Sequence, residues 1–347
     1  MSVVRAGLPT PLNTSILDVS WRDGLVRSID ELGLKSNNIS LDEKDAVLLQ
    51  HYITHTAATI ATDPATLKLW QKAVPHLAHS HPFLLHGLLA LSALHLAHTT
   101  PSDSALHSQY LLSAITHQET AMPIFRSSIA AVTPETSHAV FIFSHLLVLY
   151  CFASESQDER LLILSPTPDL LPIWLQFLRA GCRLLCHVWG DLEAGPVKAL
   201  ASAWDIPELE LDGGRTPFVE DLLSHIPLSK TEDAWSEDEN KVYTDTAILL
   251  GRAFTNRALD IAFTTWDALR IWPMCISKEY MEMLRNQHPG ALILLAHYCV
   301  LLKNIEGNWY FDGRATGLLR SVLGCLDQKW MKAVKWPIEK IGITVII

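Results

Sequence analysis

Among the groups in this chain that could do chemistry, its sixteen histidines are the most conspicuous. His76, His79, His81, His86, His95, His98 and His107 crowd one region. His-x2-His and i, i+4 spacings suit zinc, but a zinc site also needs a carboxylate or thiolate converging on the same point. Packing, capping and surface exposure account for these rings, so no metal is expected. Ser80-His81 and Ser144-His145 are neighbours in sequence, which says nothing of a catalytic triad. The chain has no Gly-rich phosphate loop after a strand, no Gly-x-Ser-x-Gly and no His-Glu-x-x-His. No nucleotide, flavin or haem motif is present, and no cofactor is expected. What remains are polar and aromatic residues set inside apolar runs: His95, Tyr150, Trp174, Arg183, Trp189, His297, Tyr298, Trp309 and Tyr310. Buried Tyr, Trp and His need partners for their polar ends. A backbone carbonyl can serve, and so can the oxygen of an apolar ligand, so core packing and a lipophilic-ligand site both stay open.

The elements that must position these groups are helices. The run from His81 to His98 has Pro82 where a first helical residue tolerates a missing N–H. Beyond it, Leu, Phe and Ala point in nearly every direction. A helix apolar all round is either a domain centre or a membrane span. At 1.5 Å per residue the run reaches ~24 Å, short of a bilayer, and His86, Ser92 and His95 interrupt it. It therefore reads as the central helix of a single large helical domain, with no membrane span.

Composition agrees. In 347 residues, 49% are apolar and 18% charged, enough material for a large core or an apolar cavity. The net charge of −10, with no Lys/Arg cluster to offset it, argues against direct nucleic-acid binding. The six cysteines (Cys151, Cys182, Cys186, Cys275, Cys299 and Cys325) form no Cys-x2-Cys pair. Placed mostly in apolar runs, they fit a reducing, cytoplasmic compartment, and the first residues carry no secretion signal.

Read in order, residues 1–40 form an N-terminal arm, and 41–347 form the helical ligand-binding domain. Ser40-Leu41-Asp42-Glu43 offers a capping box. The helix after it places Val47, Leu48, His51, Tyr52 and His55 on one side. A short helix from Leu67 to Val74 is ended by Pro75. Residues 102–122 form an amphipathic helix continued after Pro123. Ser137 to Ala153 and Leu170 to Trp189 are further long helices, with Arg179 and Arg183 on one face of the latter. An acidic linker or insertion at about 205–240 carries little core of its own. Helices resume over 241–270, 278–306 and 312–326, before a Trp-rich tail. No stretch alternates with period two and no βαβ rhythm appears, so the fold is all-α.

These residues also carry a resemblance. His81-Pro82-Phe83-Leu84-Leu85-His86 followed by Leu91-Ser92-Ala93-Leu94-His95-Leu96-Ala97 resembles the effector domain of fungal zinc-cluster transcription factors of the sterol-uptake-control type. Downstream, Trp174-Leu175 to Arg183, Gly195-Pro196, His288-Pro289-Gly290-Ala291-Leu292, Ala296-His297-Tyr298, Trp309-Tyr310 and Trp336-Pro337 match in order. The resemblance spans roughly residues 45–342. It implies an all-helical domain with a pocket for a sterol, attached to an N-terminal DNA reader. That reader needs six cysteines beginning Cys-x2-Cys-x6-Cys, whereas the first cysteine here is Cys151. The sequence is therefore expected to hold the ligand domain without the DNA-binding module.

Two functions are expected from this. In the first, the pocket is a cofactor-free cyclase of pericyclic, Diels–Alder type, acting on a terpenoid in specialised-metabolite biosynthesis. Orientation of the reacting atoms is worth ~7 kcal/mol or more, and a preorganised donor adds a few kcal/mol. Arg183, His297 and Tyr298 are the candidate catalytic donors, with His95, Tyr150, Trp174, Trp189, Trp309 and Tyr310 lining the ligand. In the second, the domain senses a sterol or lipid and regulates transcription through a DNA-binding partner, in the nucleus. Either way the partner is a hydrophobic small molecule, and a homo-oligomer is compatible with both.

Overall fold

The computed structural model describes residues 42–154, 185–201, 216–227, 234–259 and 263–344. The expected arm at 1–40, Trp174, Arg179 and Arg183 lie outside them. All regular structure among the described residues is helical.

The first helix, α1 (Glu43–His51), starts from Asp42, whose carboxylate accepts from the Asp45 N–H at 2.8 Å. Asp42 is thus the N-cap, in place of the Ser40–Glu43 box, and it puts an anion on the positive end of the helix. The expected apolar face is also corrected. Leu48, Leu49, Tyr52 and Thr56 are buried, while Val47 and His55 are exposed. Val47 sits at the solvent edge of α1, whereas His55 lies in a π-helical turn at Tyr52–Thr56. Its wider winding rotates the downstream residues relative to the 3.6-residue repeat.

After the short α2 (Ala57–Ile60) comes α3 (Pro64–Lys68), a second π turn at Leu69–Ala73, and α4 (Val74–Ala78). Pro75 does not end the helix as expected, but sits in the first turn of α4. Proline clashes with the carbonyl four residues back and lacks a donor. The π turn just before it alters that geometry, and the chain continues.

Helix α5 (Pro82–Thr99) is the expected buried axis, with residues from Phe83 to Ala97 buried on almost every side. It packs on α6 (Ala105–Ala130), which runs unbroken through Pro123, and on α7 (Pro134–Ala153). Gly87 permits the α5–α7 approach, since a Cβ there would lie 2.8 Å from the Phe143 ring. Helices α5 and α7 are long and apolar enough to cross a membrane, but 72% and 67% of those runs are buried inside the fold.

Next come the short helices α8 (Trp189–Ala194) and α9 (Lys198–Ala201), then α10 (Pro217–Leu223). Here the structure departs from the expected acidic linker, because Val219 and Leu222 of α10 are fully buried and Trp235 nearly so. The Tyr243 hydroxyl, on α11 (Glu237–Leu259), donates to the Leu222 carbonyl at 2.8 Å and ties α10 down.

The C-terminal half is organised around α14 (Pro289–Lys303), which like α5 and α7 is apolar all round. It is flanked by α11, α12 (Thr265–Arg270), α13 (Lys278–Arg285), α15 (Arg314–Cys325) and α16 (Lys335–Ile341). The expected single helix over 278–306 is split. Gln287 adopts a left-handed φ of 53°, and His288 Nδ1 accepts from the Gly290 N–H at 3.2 Å to cap α14. The domain therefore has two axis helices rather than one. Phe152 against Phe311 and His145 against Trp266 join the halves into one apolar core.

Candidate functional site

The expected site residues fall into separate places. His95, Trp309 and Tyr310 form one group where α5 meets the C-terminal half. The His95 and Trp309 rings stack at 4.8 Å. His95 Nδ1 lies 3.0 Å from Thr56 Oγ1 and 3.2 Å from His51 Nε2. Trp309 Nε1–H donates to Thr59 Oγ1 at 2.9 Å, and the Tyr310 hydroxyl pairs with Thr265 Oγ1 at 2.7 Å. Burial, with His98 and His55 nearby, lowers the His95 pKa to about 4, and burial with His95 and His55 nearby lowers that of His51 to about 3. These rings are neutral at neutral pH, as a desolvated imidazole is.

His297 and Tyr298 sit on α14. His297 Nδ1–H donates to the Ile293 carbonyl at 2.8 Å, which fixes the tautomer, because a carbonyl only accepts. Burial pushes its pKa down to about 4, opposed by that hydrogen bond. Its ring stacks on Trp336 at 5.6 Å beside Phe218, in a packed aromatic cluster. The Tyr298 hydroxyl donates to the Ala268 carbonyl at 2.7 Å, and burial raises its pKa well above the usual value. Each group's one donor is thus engaged with backbone. Polarising a substrate carbonyl from either would first require breaking that bond.

Trp189 and Tyr150 lie elsewhere. The Trp189 indole donates to Glu193 at 3.0 Å and meets Phe141 edge-on. Tyr150 is half-buried near the end of α7, and its hydroxyl is pushed up to about 12, chiefly by burial.

Two buried polar groups were not singled out from the sequence. Tyr52 and Trp70 are both fully buried, and the Tyr52 hydroxyl and Trp70 Nε1 have no hydrogen-bond partner. Each belongs to one of the two π turns, which pack on each other. A buried unpaired donor is costly, and π turns recur at functional sites. Nothing in the residue types announced this, because a π turn leaves no composition signature. Among the described residues no three His, Cys, Asp or Glu side chains converge as metal ligands.

Residues 47–204, which carry α1 to α9, match the family model of the fungal specific transcription factor domain. The chain is similar to fungal transcription factors. The resemblance read from the sequence therefore holds. Similarity extends well past the matched segment. A Zn(2)-C6 fungal-type transcription factor of Gibberella zeae is 25% identical over 90% of this chain and 65% of its own length. Sterol uptake control protein 2 of Candida albicans is 24% identical over 81% of this chain and 40% of its own. The protein of the same name from Saccharomyces cerevisiae is 28% identical over 82% and 30%. The chain thus spans under two thirds of the length of each of these relatives.

Proposed function

We propose that this chain is the effector region of a fungal transcriptional regulator. Its helical body holds an apolar, sterol-like molecule and couples that occupancy to gene expression. The observation that carries this reading is the match of 47–204 to the transcription factor domain, since that stretch contains the axis helix α5 and both π turns. Two relatives bear sterol uptake control in their names, which supports an apolar polycyclic ligand. DNA reading falls to another module, because a chain of net charge −10 does not attract phosphate backbones. The place of action is the nucleus.

The cyclase reading has less support. Its described donors, His297 and Tyr298, are already engaged with Ile293 and Ala268, and the relatives are named as transcription factors. Titration of the purified chain with dehydroergosterol, followed by energy transfer from its tryptophans, tests the ligand. Saturable transfer, competed by unlabelled ergosterol, is expected; no transfer at any sterol concentration contradicts the sterol. Incubation with linear terpenoid dienes is the second arm. Turnover above the uncatalysed rate would replace the regulator by the cyclase.

A further inference from the structure

A groove of about 590 Å³ runs between α11 and α13, remote in sequence from the family-matched segment. Val242, Leu249 and Met283 give it an apolar floor. Asp238 and Asp245 from α11, with Glu279 and Glu282 from α13, stand exposed along its rims. Glu239 closes one end, held ionised by the Ser236 N–H and hydroxyl at 2.8 Å each, and lies 3.6 Å from His288. Against these five carboxylates the lining supplies one lysine, Lys241.

We propose that this groove is a docking surface for a basic amphipathic segment of a partner protein, with an apolar side chain on the floor and lysines or arginines along the rims. The carboxylates are spread over two helices and do not converge as ligands of one ion. Their pattern therefore matches an extended polycation rather than a metal. A cationic segment lying between these carboxylates supplies electrostatic complementarity. The apolar floor adds what a purely ionic surface lacks, a place where desolvation anchors the partner. The groove needs no bound lipid, so this inference stands or falls separately from the sterol reading.

The test is fluorescence anisotropy of the full chain with a labelled helical peptide that has lysines on one face and leucines on the other. Saturable binding is expected, weakening as salt shortens the screening length to below ~8 Å. Combining Asp245→Lys, Glu279→Lys and Glu282→Lys should weaken it by about tenfold or more through lost charge complementarity. All three are exposed, and an unchanged circular dichroism spectrum would confirm the fold. Leu249→Gln should weaken binding while keeping its salt dependence. No binding, or equal binding to the triple variant, overturns the proposal. Equal binding of spermine, or of a lysine peptide without leucines, would make the groove a simple polycation site and overturn the peptide partner.

Discussion

His86 and His117 face each other across α5 and α6 with their Nδ1 atoms 3.0 Å apart, and Asp45 of α1 sits 3.3 Å from His117 Nε2. A nitrogen–nitrogen hydrogen bond needs one N–H and one lone pair, so both rings cannot be protonated at once. A second such pair, His51 with His95, clips the other end of α1 to α5. The His51–His95 pair and the Ser92 hydroxyl, which donates to the Leu48 carbonyl at 2.7 Å, hold α1 on the axis, while the Asp45–His117 contact ties α1 to α6.

These contacts make stability depend on acid. Burial lowers the pKa of His86, and that of His145 and His297 to about 4 each, from an unfolded value near 6.5. Below about pH 6.5 the unfolded chain binds protons that the folded chain does not, so stability falls with falling pH. The loss continues to about pH 4, at about 1.4 kcal/mol per pH unit for each fully buried ring that titrates. Asp45, whose carboxyl is raised chiefly by burial, acts in the opposite sense, within the carboxylate range. Thermal melting from pH 7.5 to 4.5 should show a steadily dropping Tm, and a shallower drop in His297→Leu. A flat profile would mean that the rings are not buried neutral.

Gly87 sets the spacing of α5 and α7. Replacing a helical glycine by alanine ordinarily gains about 1 kcal/mol. Here the new Cβ would sit 2.8 Å from two Phe143 ring atoms. Gly87→Val should destabilise by about 1–3 kcal/mol through overpacking, with partial recovery in Gly87→Val/Phe143→Leu. Urea denaturation of the single and double variants measures this, and additivity of the two changes would remove the contact from the account.

Tyr298 separates a packing role from a chemical one. Tyr298→Phe removes the bond to Ala268 O and should cost about 1–2 kcal/mol of stability. Dehydroergosterol affinity should stay within about twofold, since that hydroxyl is already engaged; twofold corresponds to about 0.4 kcal/mol. Lost sterol binding at unchanged stability would instead place the hydroxyl on the ligand.

Tyr52 and Trp70 make the reverse prediction. Tyr52→Phe leaves no backbone partner behind, because the hydroxyl has none in the free chain. Stability without ligand should hold or rise by up to about 1 kcal/mol. If the two π turns receive the ligand's oxygen, sterol affinity falls by about tenfold, the worth of one hydrogen bond. Melting curves with and without ergosterol measure both quantities, and unchanged affinity would place the ligand's oxygen elsewhere.

Much of this fold was legible because its signals are local. Pro82 opens a helix where a missing N–H is harmless, and this much the sequence shows; Pro134 and Pro289 do the same outside the expected boundaries. The uncharged runs of α5 and α7 read as buried, and so did the run of α14. The ordered motifs from His81 to Trp336 pointed to the family. The misses share one cause, a departure from the 3.6-residue repeat or a tertiary contact distant in sequence. The π turn at Tyr52–Thr56 takes His55 out of the face assigned to it. Pro75 reads as a stop only if the turn before it is α-helical. Val219 and Leu222 lie in an acidic stretch, and only Tyr243 and the core around it reveal their burial. The candidate site residues were legible as buried, but not their partners, since Tyr298 meets a carbonyl thirty residues away.

The most direct test of the central reading is chromatin immunoprecipitation of the tagged full-length protein in its own fungus, with transcript sequencing of the deletion strain under sterol depletion. Nuclear signal, enrichment at a defined set of promoters, and altered transcripts from those genes when the protein is removed are the expected result. Unchanged transcripts with no promoter enrichment, in cells that contain the protein, would contradict that reading.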